Sequence, residues 1–193
     1  MIIVEGPDGA GKTRLVQHLA EKYEIPIAER VVAKDTQPMA GVDLKLWTEK
    51  NLKTGLQWMI FDRHRLISEP IYASCMNRKT HEGFDDVRWL TARMIDFTRI
   101  HAFIIYCLPP YHIVESNLED DQDNTVVWGY AESIYNAYVA AAAGDVARGQ
   151  AVLFDYTADE VYNRVDMLFE QWRRANRSRL LRIMSSSDLG VKS

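Results

Sequence analysis

With 193 residues, 47% hydrophobic and 26% charged side chains and a formal net charge of −4, the chain has the composition of one globular domain with a sizeable core. Its longest apolar runs, 103–108 and 139–143, are far too short to cross a bilayer, which excludes a membrane partner by this reading. The only two cysteines, Cys75 and Cys107, sit in apolar or helical settings and read as reduced thiols of a cytoplasmic protein, not as a disulfide framework.

The chain opens on a core strand, Ile2–Glu5, and no signal or transit segment is expected. Residues 6–13 follow as Gly-Pro-Asp-Gly-Ala-Gly-Lys-Thr, a full match to the phosphate-binding pattern G-x-x-x-x-G-K-[ST]. A helix is expected over Gly11–Tyr23, with Leu15, Val16 and Leu19 on one face. Strand, glycine-rich turn and helix form the context in which this pattern binds a nucleoside triphosphate. The loop's N–H groups can converge on phosphate oxygens at the positive end of the helix. Gly6, Pro7, Asp8, Gly9, Ala10, Gly11, Lys12 and Thr13 are therefore the expected ATP contacts. Lys12 can reach the β- and γ-phosphates, and the Thr13 hydroxyl can ligate Mg²⁺.

Further strands are expected at Ile25–Val32, Trp58–Asp62, Ala102–Cys107 and Ala151–Asp155. Each is mostly apolar with little alternation, as in strands buried on both faces of a parallel sheet. Helices fall between them at Val42–Leu56, Leu66–Asn77, Val87–Thr98, Ile113–Leu118, Val126–Ala143 and Ala158–Ala175. The alternation predicts an α/β fold, a doubly wound parallel five-stranded sheet flanked by helices, with ligands outside the carboxyl ends of the strands. Residues 1–175 form one domain, with a polar lid loop at about 118–126. Residues 176–193 are a basic and then serine-rich tail of disordered composition. The charge is uneven: residues 164–193 carry 7 basic and 3 acidic side chains. Such an end can touch DNA or the acidic body, or simply complement a helix dipole.

The strand ending Met59-Ile60-Phe61 runs into Asp62-Arg63-His64. An aspartate at the carboxyl end of a strand beside a phosphate loop is placed to hold Mg²⁺ or to accept a proton from an attacking hydroxyl. Arg63 can clamp a phosphate through two N–H groups. Glu29, near the end of the second strand, is a second candidate base. The five histidines are scattered without ligand spacing. Trp128, Tyr130, Tyr135 and Tyr138 share one expected helix, where they pack or form a dimer face.

The segment Val-Glu-Gly-Pro-Asp-Gly-Ala-Gly-Lys-Thr resembles the opening of thymidylate kinases and related P-loop deoxynucleoside monophosphate kinases. Asp62-Arg63-His64, followed by Ser68 and Tyr72, resembles their Asp-Arg-Tyr segment and the helix after it. The order of elements fits over about residues 1–172, and the Ile-Tyr-Cys-Leu-Pro-Pro phrase is most similar to virus-encoded (phage) members. The resemblance implies an ATP- and Mg²⁺-dependent transfer to a pyrimidine deoxynucleotide, thymidylate first. It implies catalytic roles for Lys12, Asp62 and Arg63, and metal ligation by Thr13 and Asp62. Asp8 would face the acceptor's sugar 3′-hydroxyl, Arg63 would hold its phosphate, and Trp47 or Trp89 would stack on its base.

Two departures stand out. Members of that family supply an extra arginine near the transferred phosphoryl, either at the position of Gly9 or in the lid. Here the lid reads Glu119-Asp120-Asp121-Gln122-Asp123. Arg14, Arg65, Arg78 or a partner subunit of a homodimer are the alternatives. An arginine-poor lid is also compatible with a hydroxyl acceptor, such as a deoxynucleoside or 5-hydroxymethyluracil in DNA, and with a regulator that binds ATP without turnover.

Overall fold

A computed structural model describes residues 1–28, 58–78, 102–119, 127 and 129–176. Strand β1 (Ile2–Glu5) leads through the phosphate-loop sequence into helix α1 (Lys12–Tyr23). Strand β2 (Ile60–Asp62) is followed by α2 (Arg65–Cys75), and β3 (Phe103–Cys107) by α3 (Tyr111–Glu119) and α4 (Ala131–Ala147). Strand β4 (Ala151–Phe154) and α5 (Val161–Ala175) close the described chain.

The strands pair in parallel in the order β2-β1-β3-β4. The expected fifth strand is a correction: among the described residues the sheet has four. Where that strand was predicted, Ile27 makes an isolated parallel bridge to Ile60. Ala28 N–H donates to the Ile60 carbonyl (2.8 Å) and Ile60 N–H to the Pro26 carbonyl (2.9 Å). Pro26 itself has no N–H to extend a ladder, and Ile27 is 45% exposed, so the segment adds only a bridge at the β2 edge. Residues 29–32, the rest of that prediction, lie outside the described residues, as do the helices expected at 42–56 and 87–98.

Pleating sorts the strand side chains between two cores. Ile2 and Val4 of β1 face α1 and α5, packing with Leu15, Leu19, Phe103, Ile105, Phe154 and Phe169. Ile3 faces the other way, with Phe61, Ile104 and Tyr106, against Ile67 and Tyr72 of α2 and Ile134 and Tyr138 of α4. Full burial of each such side chain contributes about 1.5–3 kcal/mol, so both faces of the sheet are held by many additive apolar contacts. Phe169 and Trp172 of α5 stack with Trp58, with ring centroids 5.9 and 6.3 Å from that indole. No described helix is long and apolar enough to cross a membrane.

This topology positions the site. β1 is central, with β2 on one side and β3 on the other, so the connections that follow β1 and β3 leave in opposite lateral directions. A crevice opens at such a switch point, outside the carboxyl ends of the strands.

Candidate functional site

Register brings the two motifs together. Val4 pairs with Asp62, and Arg63 N–H donates to the Val4 carbonyl at 2.9 Å, so Asp62 and Arg63 emerge beside the start of the phosphate loop. The loop itself is tightly seated. A Cβ at Gly6 would lie 2.4 Å from the Cys107 carbonyl oxygen, and one at Gly9 2.8 Å from that of Val114. Both glycines have positive φ, +142° and +76°.

Lys12 is buried, and its ammonium donates to the Pro7 carbonyl across the loop. Burial and the nearby Arg63 charge push its pKa down to about 8, against the opposing pull of Asp8. Asp8 accepts from Arg63 Nη2 at 2.5 Å and from the Tyr72 hydroxyl at 2.8 Å. Burial alone would raise the Asp8 carboxyl, but the Arg63 and Lys12 charges and these hydrogen bonds outweigh it and hold the group below its ordinary value.

Arg63 lies over the Tyr72 ring, 5.1 Å from the centroid, an attractive cation–π geometry. Its backbone is left-handed, with φ +68°. Its side chain is 16% exposed, and its buried Nε finds no hydrogen-bond partner among the described residues. Burial would lower its pKa, yet its anionic and aromatic neighbours leave it raised, so it stays a cation. Asp62 is half-buried and Thr13 exposed. A carboxylate and a hydroxyl are oxygen donors suited to a hard cation such as Mg²⁺, which characteristically takes few protein ligands beside substrate phosphates. No cluster of three or more His, Cys, Asp or Glu side chains able to hold a metal occurs among the described residues.

Of the residues singled out from sequence, the structure brings Asp8, Lys12, Asp62 and Arg63 together at the carboxyl ends of β1 and β2. Glu29, Trp47 and Trp89 lie outside the described residues, as do residues 120–126 of the lid. Of the alternative arginines, Arg78 forks onto Glu69 at 2.7 and 3.1 Å, and Arg14 is exposed on the first turn of α1. The Arg65 side chain is not described. Tyr138 is buried, Tyr135 half-buried and Tyr130 40% exposed just ahead of α4.

Four further residues join the site without having been singled out for it. Asn117 of α3 donates to the Gly9 carbonyl (2.7 Å) and to the Tyr156 hydroxyl (2.8 Å). A Cβ at Gly11 would fall 2.7 Å from the Tyr156 ring, so this side chain closes over the loop from the β4–α5 connection. Glu5 is wholly buried directly beneath the loop, where Tyr138 donates to it at 3.0 Å. The positions of Glu5 and Asn117, next to a motif and on the helix leading to the lid, were the available signals. Nothing local marked Tyr156 or Tyr138.

The chain matches no family model and no curated protein. Solved structures do share its fold. YorR from Bacillus subtilis, in complex with phosphorylated GDP, is 18% identical over 90% of this chain and 97% of its own, with a TM-score of 0.63. Deoxyadenosine kinase from M. mycoides with bound dCTP is 17% identical over 90% of this chain and 100% of its own, with a TM-score of 0.57. The same enzyme with bound dATP gives 17% identity, 89% and 98% coverage and a TM-score of 0.57. The chain therefore has the parallel α/β fold found in nucleotide kinases.

Proposed function

We propose that this chain is an ATP- and Mg²⁺-dependent nucleotide kinase that phosphorylates a pyrimidine deoxynucleoside monophosphate, thymidylate first. One observation carries the proposal: a half-buried arginine, whose Nε has no hydrogen-bond partner among the described residues, stands beside the phosphate loop and is balanced by Asp8 of that same loop. Lys12 serves the ATP phosphates, and the forked Arg63 guanidinium suits a second phosphate, that of the acceptor. Asp8 is held ionised, so it can accept a hydrogen bond from the acceptor's sugar hydroxyl. Mg²⁺, held by Thr13 and Asp62, would neutralise charge on the transferring phosphoryl. The chain's own contribution is positioning: two anions are brought into line inside a crevice whose cations are already in place.

A hydroxyl acceptor is the second reading, and the Arg78–Glu69 pair favours it. With Arg78 engaged, fewer cations remain to offset a phosphorylated acceptor. Its fold likeness to a deoxyadenosine kinase puts deoxynucleosides in the same panel.

The test is a transfer assay with γ-labelled ATP and Mg²⁺. Acceptors are the four deoxynucleoside monophosphates, the deoxynucleosides, and DNA with and without 5-hydroxymethyluracil. Label in a diphosphate supports the first reading and names the base. Label in a monophosphate or in the polymer supports the second. ATP binding without transfer to any acceptor would make the chain a nucleotide-binding regulator and sink both.

A further inference from the structure

Glu5 ends β1 wholly buried, and the chemistry proposed above gives it no part. Its carboxylate lies on the α2 and α4 side of the sheet. One oxygen accepts from the His64 backbone N–H at 2.6 Å, and the other accepts from the Tyr138 hydroxyl at 3.0 Å. His64 directly follows Arg63, whose left-handed backbone is unfavourable for a non-glycine residue. That turn is held from both sides. The Arg63 N–H is bound by the Val4 carbonyl, and the next N–H by the Glu5 side chain. The turn so held delivers the Arg63 guanidinium to Asp8.

We infer that Glu5 is a positioning residue: its carboxyl group holds the left-handed Arg63 turn, sets the guanidinium against Asp8, and ties that setting through Tyr138 to helix α4. The inference rests on the kinase reading and deepens it. An apolar side chain here would fold at lower cost, because burying a carboxyl disfavours its charged form. Burial indeed pushes the Glu5 pKa up to about 7, against the His64 N–H, the Arg63 and Lys12 charges and the Tyr138 hydroxyl. What an apolar residue cannot supply is an acceptor for the His64 N–H, which lies in a turn beyond the β1–β2 ladder. The His64 ring, packed edge-on against Phe61 with centroids 5.2 Å apart, braces the same turn.

The test measures the acceptor KM, kcat and the Kd for ATP in wild type, Glu5→Gln, Glu5→Ala and Tyr138→Phe, each with Arg63 intact and as Arg63→Ala. With Arg63 intact, Glu5→Ala should raise the acceptor KM by about tenfold or more while the ATP Kd moves less than about twofold. Glu5→Gln keeps an oxygen for the His64 N–H and offers an amide to Tyr138, and it should recover most of the loss. In the Arg63→Ala background the Glu5 and Tyr138 substitutions should add almost nothing, because they act through the guanidinium. Should Glu5→Ala fail to fold, Tyr138→Phe and Glu5→Gln carry the same cycle. Their losses must again vanish once Arg63 is gone. Losses that add fully to Arg63→Ala, or that weaken ATP and acceptor alike, would overturn the inference and leave the kinase reading standing. Wild-type protein that transfers phosphate to nothing takes both down.

Discussion

The seating of the phosphate loop can be tested at Gly9. Its φ is +76°, and an added Cβ would meet the Val114 carbonyl oxygen at 2.8 Å, with Asn117 Cβ and Leu118 Cγ at 3.3 Å. A left-handed backbone costs alanine about 1 kcal/mol. A clash with a backbone oxygen cannot be relieved by rotating a side chain and adds about 1–3 kcal/mol. Gly9→Ala should therefore lose about 2–4 kcal/mol. Gly149 is an internal control, because its φ is +68° and a Cβ there meets nothing within 4 Å among the described residues. Gly149→Ala should show the backbone cost alone, about 1 kcal/mol. Urea unfolding of both variants, with m-values compared to wild type, isolates the steric part as the difference. Equal losses would refute the close packing of α3 on the loop. The same packing speaks to the arginine that the thymidylate-kinase resemblance would put at this position. Gly9→Arg should lower stability without raising turnover, since the new side chain must displace α3.

Lys12→Ala should abolish phosphoryl transfer and leave the far-ultraviolet spectrum and cooperative unfolding intact, because its ammonium is bound by the loop's own Pro7 carbonyl. Arg63→Ala should raise the KM for a phosphorylated acceptor by about 10²-fold and shift the ATP Kd little; equal damage to both would reassign the residue to the donor side. The pH dependence of stability carries a signature of Glu5. Its pKa rises from 4.5 to about 7 on folding, so between these values the folded state holds a proton that the unfolded state has lost. The stabilisation linked to Glu5 is complete below about pH 4.5 and gone above about pH 7, a loss of about 3 kcal/mol. Chemical denaturation across that range, wild type against Glu5→Gln, should show the extra decline only in wild type.

The phosphate loop was legible because every part of its signal is local: an apolar strand, eight consecutive residues and an amphipathic turn of helix. Strands β3 and β4 were legible for the same reason. Among the described residues the second expected strand is reduced to one bridge, where local composition and ladder chemistry part company at Pro26 and the exposed Ile27. Lateral order was not legible from periodicity. Nothing in the spacing states that β2 lies beside β1, and only that pairing sets Asp62 against Val4. Glu5 read as the polar end of a strand. Its burial comes from pleating, which turns it toward a helix whose Tyr138 is 133 residues away. Asn117 and Tyr156 meet over Gly9 and Gly11 for a similar reason: the segments leaving β3 and β4 both pass above one loop.

The charge balance of the site bears on how the proposed transfer would proceed without an arginine in the loop. Lys12 and Arg63 supply two positive charges, and Asp8 cancels much of one of them. Arg78 is held by Glu69, Arg148 by Asp145 and Arg173 by Glu170. Arg14 differs: it is exposed on the turn that starts at the loop's own lysine, and no carboxylate among the described residues pairs with it. Drawing Arg63 off Asp8 onto an incoming phosphate would release a carboxylate at the moment a second anion arrives. The Tyr72 hydroxyl, already bonded to Asp8, and the nearby Lys12 charge are what would remain to hold that carboxylate. On the proposed kinase reading, Asp8 would therefore work better as an acceptor for a hydroxyl on the substrate than as a lasting counter-ion. An acceptor bearing both a sugar hydroxyl and a phosphate satisfies both halves of the exchange. A bare phosphate satisfies only one, and this asymmetry is the physical reason to look for a nucleotide and not for an inorganic anion beside Arg63.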